Sequence, residues 1–95
     1  MAKKQVQKRT IDRLSRRERR DMGLTFGAIR KETQRLIESG DVDGASNAEI
    51  AAMVLDSLVQ QNPKCYSDPS LDLEGILAFI ETLMPIILMI IQLMA

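Results

Sequence analysis

The last stretch of the chain, residues 76–95, reads ILAFIETLMPIILMIIQLMA and contains one charged side chain, Glu81. Twenty residues of α-helix rise about 30 Å, which is long enough to cross the hydrocarbon core of a bilayer. Length therefore leaves two main interpretations open. The segment is either a helix packed among other helices, within the chain or between chains, or a membrane helix that acts as a tail anchor or lies at the interface; β pairing of its isoleucines is a third, minor alternative.

The apolar residues of this segment follow a heptad when Leu73 is placed at position a. Every a and d position is apolar, and together they form the predicted oligomer or membrane interface: Leu73, Ile76, Ile80, Leu83, Ile87, Ile90 and Met94. The opposite side is a thin, continuous polar stripe of Glu74, Ala78, Glu81, Thr82, Pro85 and Gln92. A lipid-facing span does not need such order, and residues 76–95 contain no Trp, Tyr, Lys or Arg to anchor it at an interface. The pattern favours packing against protein.

Clear start and stop signals place the helices before this one. Residues 46–49, Ser-Asn-Ala-Glu, form a capping box, and Asn62-Pro63 ends the helix that follows it. Asp68-Pro69 is a favourable cap with Pro at the first helical position. We therefore predict an all-α fold with a helical hairpin of residues 46–61 and 69–94, kinked at Pro85. These few helices cannot cover so wide an apolar face, which predicts a homo-oligomer or a subunit of a larger assembly.

Two further helices are predicted upstream, a basic one over residues 5–22 and an amphipathic one over residues 25–39. Thr25 offers the N-cap of the second helix. Charge is sorted along the chain: residues 1–35 carry twelve Lys/Arg and four Asp/Glu, whereas residues 36–95 carry one Lys and nine Asp/Glu. We accordingly divide the chain into a basic N-terminal helical arm, residues 1–40, and an acidic and apolar hairpin, residues 41–95.

The arm is rich in arginine, whose guanidinium group makes bidentate contacts with phosphate. The predicted nucleic-acid or anion contacts are Lys8, Arg9, Arg13, Arg16, Arg17, Arg19 and Arg20. No aromatic residue is interleaved with them, so stacking on single-stranded bases is not expected. Two other partners stay open for the arm, an acidic surface of a neighbouring subunit and anionic lipid headgroups.

Composition argues against catalysis. The chain has no His, and its single cysteine, Cys65, cannot form an intrachain disulfide. Residues 39–50 resemble a calcium loop, but Ser39 and Ile50 stand at the terminal ligand positions, so we expect a turn followed by a helix cap. No cofactor, metal or small-molecule substrate is predicted. No secretory signal opens the chain, which favours an intracellular location or one within a particle, with membrane association as an alternative.

These observations predict a non-enzymatic structural or assembly protein, for example a minor virion or scaffold component. Its hydrophobic C-terminal helix would associate with itself or with other subunits, and its arginine-rich N-terminus would contact nucleic-acid backbone or an acidic protein surface. The alternative is a tail-anchored or interfacial membrane protein with a basic cytoplasmic arm.

Overall fold

The computed structural model describes residues 8–94, which are mostly helical and contain no strand. A short 3-10 helix, Ile11–Arg13, precedes four α-helices: α1 (Arg16–Asp21), α2 (Phe26–Glu38), α3 (Asn47–Gln61) and α4 (Leu73–Met94). The all-α prediction is confirmed.

The predicted basic helix over residues 5–22 is wrong as a continuous element. Its first three residues lie outside the described part of the chain, and the rest is divided at Leu14, which is extended and buried. A new helix starts at Ser15 because this residue and Glu18 form a capping box, each side chain accepting the other's backbone N–H at 3.0 Å. The S-x-x-E signature of this cap is visible in the sequence at residues 15–18.

Gly23 ends α1 in a Schellman motif that only glycine adopts without strain. Its φ is +74°, its N–H donates to the Arg20 carbonyl at 3.1 Å, and the N–H of Leu24 donates to the Arg19 carbonyl at 2.7 Å. The glycine also lies directly against α3, since a Cβ atom there would be 2.7 Å from Leu58 Cδ2. The basic segment is thereby fixed to the core.

The next two predicted helices are confirmed together with their caps. Thr25 Oγ1 accepts the Ala28 N–H at 3.2 Å at the start of α2. At the start of α3, Ser46 and Glu49 form the predicted capping box, with both hydrogen bonds at 3.2 Å.

The last helix starts at Leu73 rather than at the predicted Pro69, because the intervening backbone is used elsewhere. Arg9 N–H donates to the Ser70 carbonyl at 2.6 Å and the Asp72 N–H donates to the Arg9 carbonyl at 3.0 Å, which forms an isolated parallel bridge. The Asp72 carboxylate then accepts an amide of the first turn of α4 at 3.0 Å. Because the bridged residues are so far apart in sequence, no pattern of neighbouring residues predicts this bridge.

Helix α4 is unbroken across Pro85, whose ring is exposed to solvent. The missing N–H of a proline leaves the carbonyl four residues earlier without its helical partner, and here that carbonyl belongs to the exposed Glu81. The kink, the hairpin and the oligomer stay predictions.

One hydrophobic core joins α2, α3 and α4. Helix α4 packs most extensively on α3, and α2 packs on both. The core face of α4 comprises Ile76, Ile80, Met84 and Ile87, each with 0% exposure. Leu14, Met22 and Leu24 are buried in the same core, so both the basic and the acidic part of the chain contribute to it.

Candidate functional site

The seven predicted anion contacts do not lie on one surface. Arg9 bonds to Glu18 at 2.5 Å and to Asp68 at 3.5 Å, while the Arg19 guanidinium donates to the Ile11 carbonyl at 3.1 and 2.7 Å. The backbone N–H of Ser15, together with the bond from Arg9, holds the pKa of the Glu18 carboxyl below its usual range. These two arginines therefore position the N-terminal segment.

The exposed arginines of α1 line a wide cleft. It has a volume of about 600 Å³ and is lined by Arg16, Arg17, Arg19, Arg20, Leu24, Thr25, Phe26 and Phe79; we call it the arginine cleft. Arg16, Arg17 and Arg20 are exposed, and Arg16 and Arg20 stand one turn apart on the same side of the helix. The remaining predicted contacts, Lys8 and Arg13, are exposed but do not line the cleft. The sequence shows which residues are basic, but it does not show which of them are bonded within the chain and which line the cleft.

Aromatic side chains lie beside these arginines, although none is interleaved with them in the sequence. Phe26 is 40% exposed, because the first residue of α2 borders the cleft instead of the core. Phe79 comes from the first half of α4, 53 residues further along. Neither residue was predicted as part of a site, since only the tertiary fold brings them to α1.

The predicted interface of α4 is divided by the fold. Its central residues Ile76, Ile80 and Ile87 are completely buried within the chain, whereas Leu83 and Ile90 are half-buried. The terminal residues are exposed: Leu73 by 44% and Met94 by 60%. Much of the surface predicted to meet a partner is therefore the core of this chain.

A different row of apolar residues on α4 faces outward. We call it the outer stripe, and it consists of Phe79, Ile86, Ile90 and Leu93. Ile86 is 49% exposed and Leu93 is 79% exposed, while the other two are half-buried. At about 100° per residue, α4 has three faces of similar width: the core face, the outer stripe and the polar stripe. Every residue of the polar stripe is exposed.

Length and composition also make α4 the one helix in the described part of the chain that could cross a membrane, a property shared by core helices of soluble proteins. Only 22% of its most apolar 18 residues are buried. No group of His, Cys, Asp or Glu suited to a metal ion occurs among residues 8–94. The arrangement places guanidinium donors beside aromatic and aliphatic surface, and such groups are suited to binding a partner.

No protein-family model matches the chain, and no curated protein or solved structure is similar to it. The candidate site consequently depends on the geometry described above.

Proposed function

We propose that the chain is a non-enzymatic assembly protein that attaches to a phosphate-bearing macromolecular surface through α1. The observation that carries this proposal is the arginine cleft, which is lined by three exposed arginines of α1. Arginine suits phosphate because its planar fork donates two parallel hydrogen bonds.

The cleft is supported by a rigid frame. Helix α1 has a capping box at one end and a Schellman motif at the other, and the Arg19 side chain is bonded to the preceding segment. Preorganised donors bind more tightly because less conformational freedom is lost when the partner arrives.

The outer stripe supports the assembly part of the proposal. Its apolar surface runs about 21 Å along α4, at 1.5 Å per residue from Phe79 to Leu93. A contiguous apolar surface that the chain itself leaves uncovered is typical of an interaction site. Association through α4 accordingly uses the outer stripe, which shares only Ile90 with the predicted a and d residues.

Two double variants of equal charge test the attachment. Arg16→Gln/Arg20→Gln removes two cleft arginines, and Lys31→Gln/Lys64→Gln removes two exposed lysines that do not line the cleft. Binding of a short DNA duplex is measured at several salt concentrations. The slope of log affinity against log salt should become shallower by about 2 units in the arginine variant if both residues touch phosphate, and by less in the lysine control.

Equal affinities and equal slopes for the two variants would contradict the proposal, because the attraction would then depend on charge anywhere on the chain. Polyglutamate in place of the duplex tests the acidic-protein alternative. If polyglutamate bound more tightly than the duplex and lost that affinity in the arginine variant alone, the cleft would be a carboxylate site and the phosphate proposal would be wrong.

A further inference from the structure

The arginine cleft and the outer stripe form one continuous surface. Phe79 belongs to both, since it lines the cleft and is the first residue of the stripe. Ile86 and Leu93 follow at intervals of seven residues on the same side of α4, and both are largely exposed. A partner seated on the arginines therefore extends over an apolar surface.

Basic groups stand at one end of this surface. The α1 arginines lie at the Phe79 end. The acids of α4, Glu74 and Glu81, lie in the polar stripe, about 100° or more around the helix from the outer stripe. The apolar surface thus has one cationic end and no acid of α4 within it.

This combination fits a bilayer surface better than it fits a nucleic acid. A duplex would satisfy the arginines and leave the outer stripe in water, whereas a bilayer offers phosphate at the headgroups and hydrocarbon just beneath them. Helices that lie in the interface combine a cationic polar face with a face of Phe and Leu, and here α1 supplies the cations while α4 supplies the apolar face. Because the core face of α4 is fully buried, the helix can lie on the membrane without leaving α3, but it cannot span the membrane while folded.

We propose that the arginine cleft and the outer stripe together are a docking surface for an anionic lipid bilayer, on which α4 lies in the plane of the interface. Arg16, Arg17 and Arg20 would contact headgroup phosphates, while Phe79, Ile86 and Leu93 would enter the boundary of the acyl chains. This inference rests on the proposed function, because it names the phosphate-bearing surface that the cleft binds.

Co-sedimentation of the full chain with lipid vesicles tests the inference. The probes are vesicles of phosphatidylcholine with phosphatidylserine, and vesicles of phosphatidylcholine alone. The variant Ile86→Ser/Leu93→Ser removes apolar surface from the outer stripe, and its matched control Ala78→Ser/Gln92→Ser changes two residues of the polar stripe. Circular dichroism confirms the helical fold of each variant, which all four exposed positions should tolerate.

We expect the wild-type chain to sediment with the anionic vesicles, and more weakly at high salt. Partitioning should fall by about tenfold or more in Ile86→Ser/Leu93→Ser, since two largely apolar contacts are lost, and should change little in the control. Wild-type binding that is equal for the two lipid compositions, or equal partitioning of the two variants, would overturn the inference.

Failure of the inference and failure of the proposed function give different results. If Arg16→Gln/Arg20→Gln weakens duplex binding while the wild-type chain ignores vesicles, the cleft binds phosphate but the partner is not a bilayer. If the arginine variant behaves as wild type toward both probes, the attachment function itself is wrong. Sedimentation velocity without lipid adds one outcome. If the wild-type chain forms a stable oligomer and Ile86→Ser/Leu93→Ser dissociates it, a second copy of the chain covers the outer stripe. That result would overturn the proposal of a bilayer docking surface.

Discussion

At the scale of single residues, α2 and α3 are joined by a nearly buried carboxylate. Glu32 is 8% exposed, and its Oε1 accepts hydrogen bonds from Arg35 at 2.5 and 3.0 Å and from the Ser57 hydroxyl at 2.5 Å. Gln61 donates to the other carboxylate oxygen at 3.3 Å. The hydrogen bonds from Arg35, followed by those from Ser57 and Gln61, lower the pKa of the Glu32 carboxyl.

The lowered pKa of Glu32 predicts a pH-dependent contribution to stability. A carboxyl whose pKa is lower in the folded than in the unfolded chain stabilises the fold above the unfolded value of about 4.3, and that contribution is lost as the pH falls through the folded value. Glu32→Gln should cost about 1–3 kcal/mol at neutral pH, and this difference should shrink in acid. Denaturant unfolding at a series of pH values measures it.

Glu38→Gln is the control for this prediction, because Glu38 is exposed on the same helix. Its substitution should change stability by less than about 0.5 kcal/mol at any pH. A Glu32→Gln variant with the same pH profile as Glu38→Gln would show that the buried network does not depend on charge.

A second prediction at the residue scale compares two glycines. Gly23→Ala should destabilise the chain by more than about 1–2 kcal/mol, because a left-handed residue acquires a Cβ atom that also meets Leu58. Gly27→Ala should stabilise α2 by about 0.5–1 kcal/mol, since its Cβ position is open and its φ is helical. Thermal unfolding of both variants tests this; equal changes in Tm would contradict the assignment of Gly23 to the end of α1.

At the scale of elements, sequence patterns predicted the features that depend on neighbouring residues, such as helix starts. Capping signals placed the starts of α2 and α3 correctly, and the a and d positions of the heptad include three of the four buried residues of α4, all except Met84. The predictions were wrong where contacts between distant parts of the chain decide the structure. Pairing of Arg9 with the backbone around Leu71 delays the start of α4, and the core takes Ile76, Ile80 and Ile87 that the heptad had assigned to a partner. A heptad shows which residues are apolar but not which chain covers them.

Neighbouring isoleucines on α4 test the division of its faces. Ile87 is completely buried, whereas Ile86 is 49% exposed in the outer stripe. Ile87→Ala should cost about 2–5 kcal/mol because it leaves a cavity in the core. Ile86→Ala should cost less than about 1 kcal/mol, as it removes a half-exposed side chain. The measurement is denaturant unfolding of the lipid-free chain, and similar losses for the two variants would contradict the face assignment.

At the scale of the whole molecule, two features that are far apart in sequence combine into one surface. Composition revealed a basic arm and an apolar C-terminal helix, and these suggested separate tasks for the two ends of the chain. In the fold, the arginines of α1 and Phe79 of α4 line the same cleft, and Phe79 is also the first residue of the outer stripe. The sequence could not predict this junction because it depends on how α1, α2 and α4 pack. We therefore expect binding of phosphate and burial of the stripe to be parts of a single docking event.

An environment-sensitive fluorophore on α4 tests this account most directly. The label is attached through Ile86→Cys on the outer stripe or Ala78→Cys on the polar stripe, each in a Cys65→Ser background, and its emission is recorded with anionic vesicles. We expect a blue shift and quenching by brominated lipid at residue 86 but neither at residue 78. Equal shifts at both positions would indicate a helix surrounded by lipid, and no shift at either would indicate a chain that does not dock; both results contradict the account.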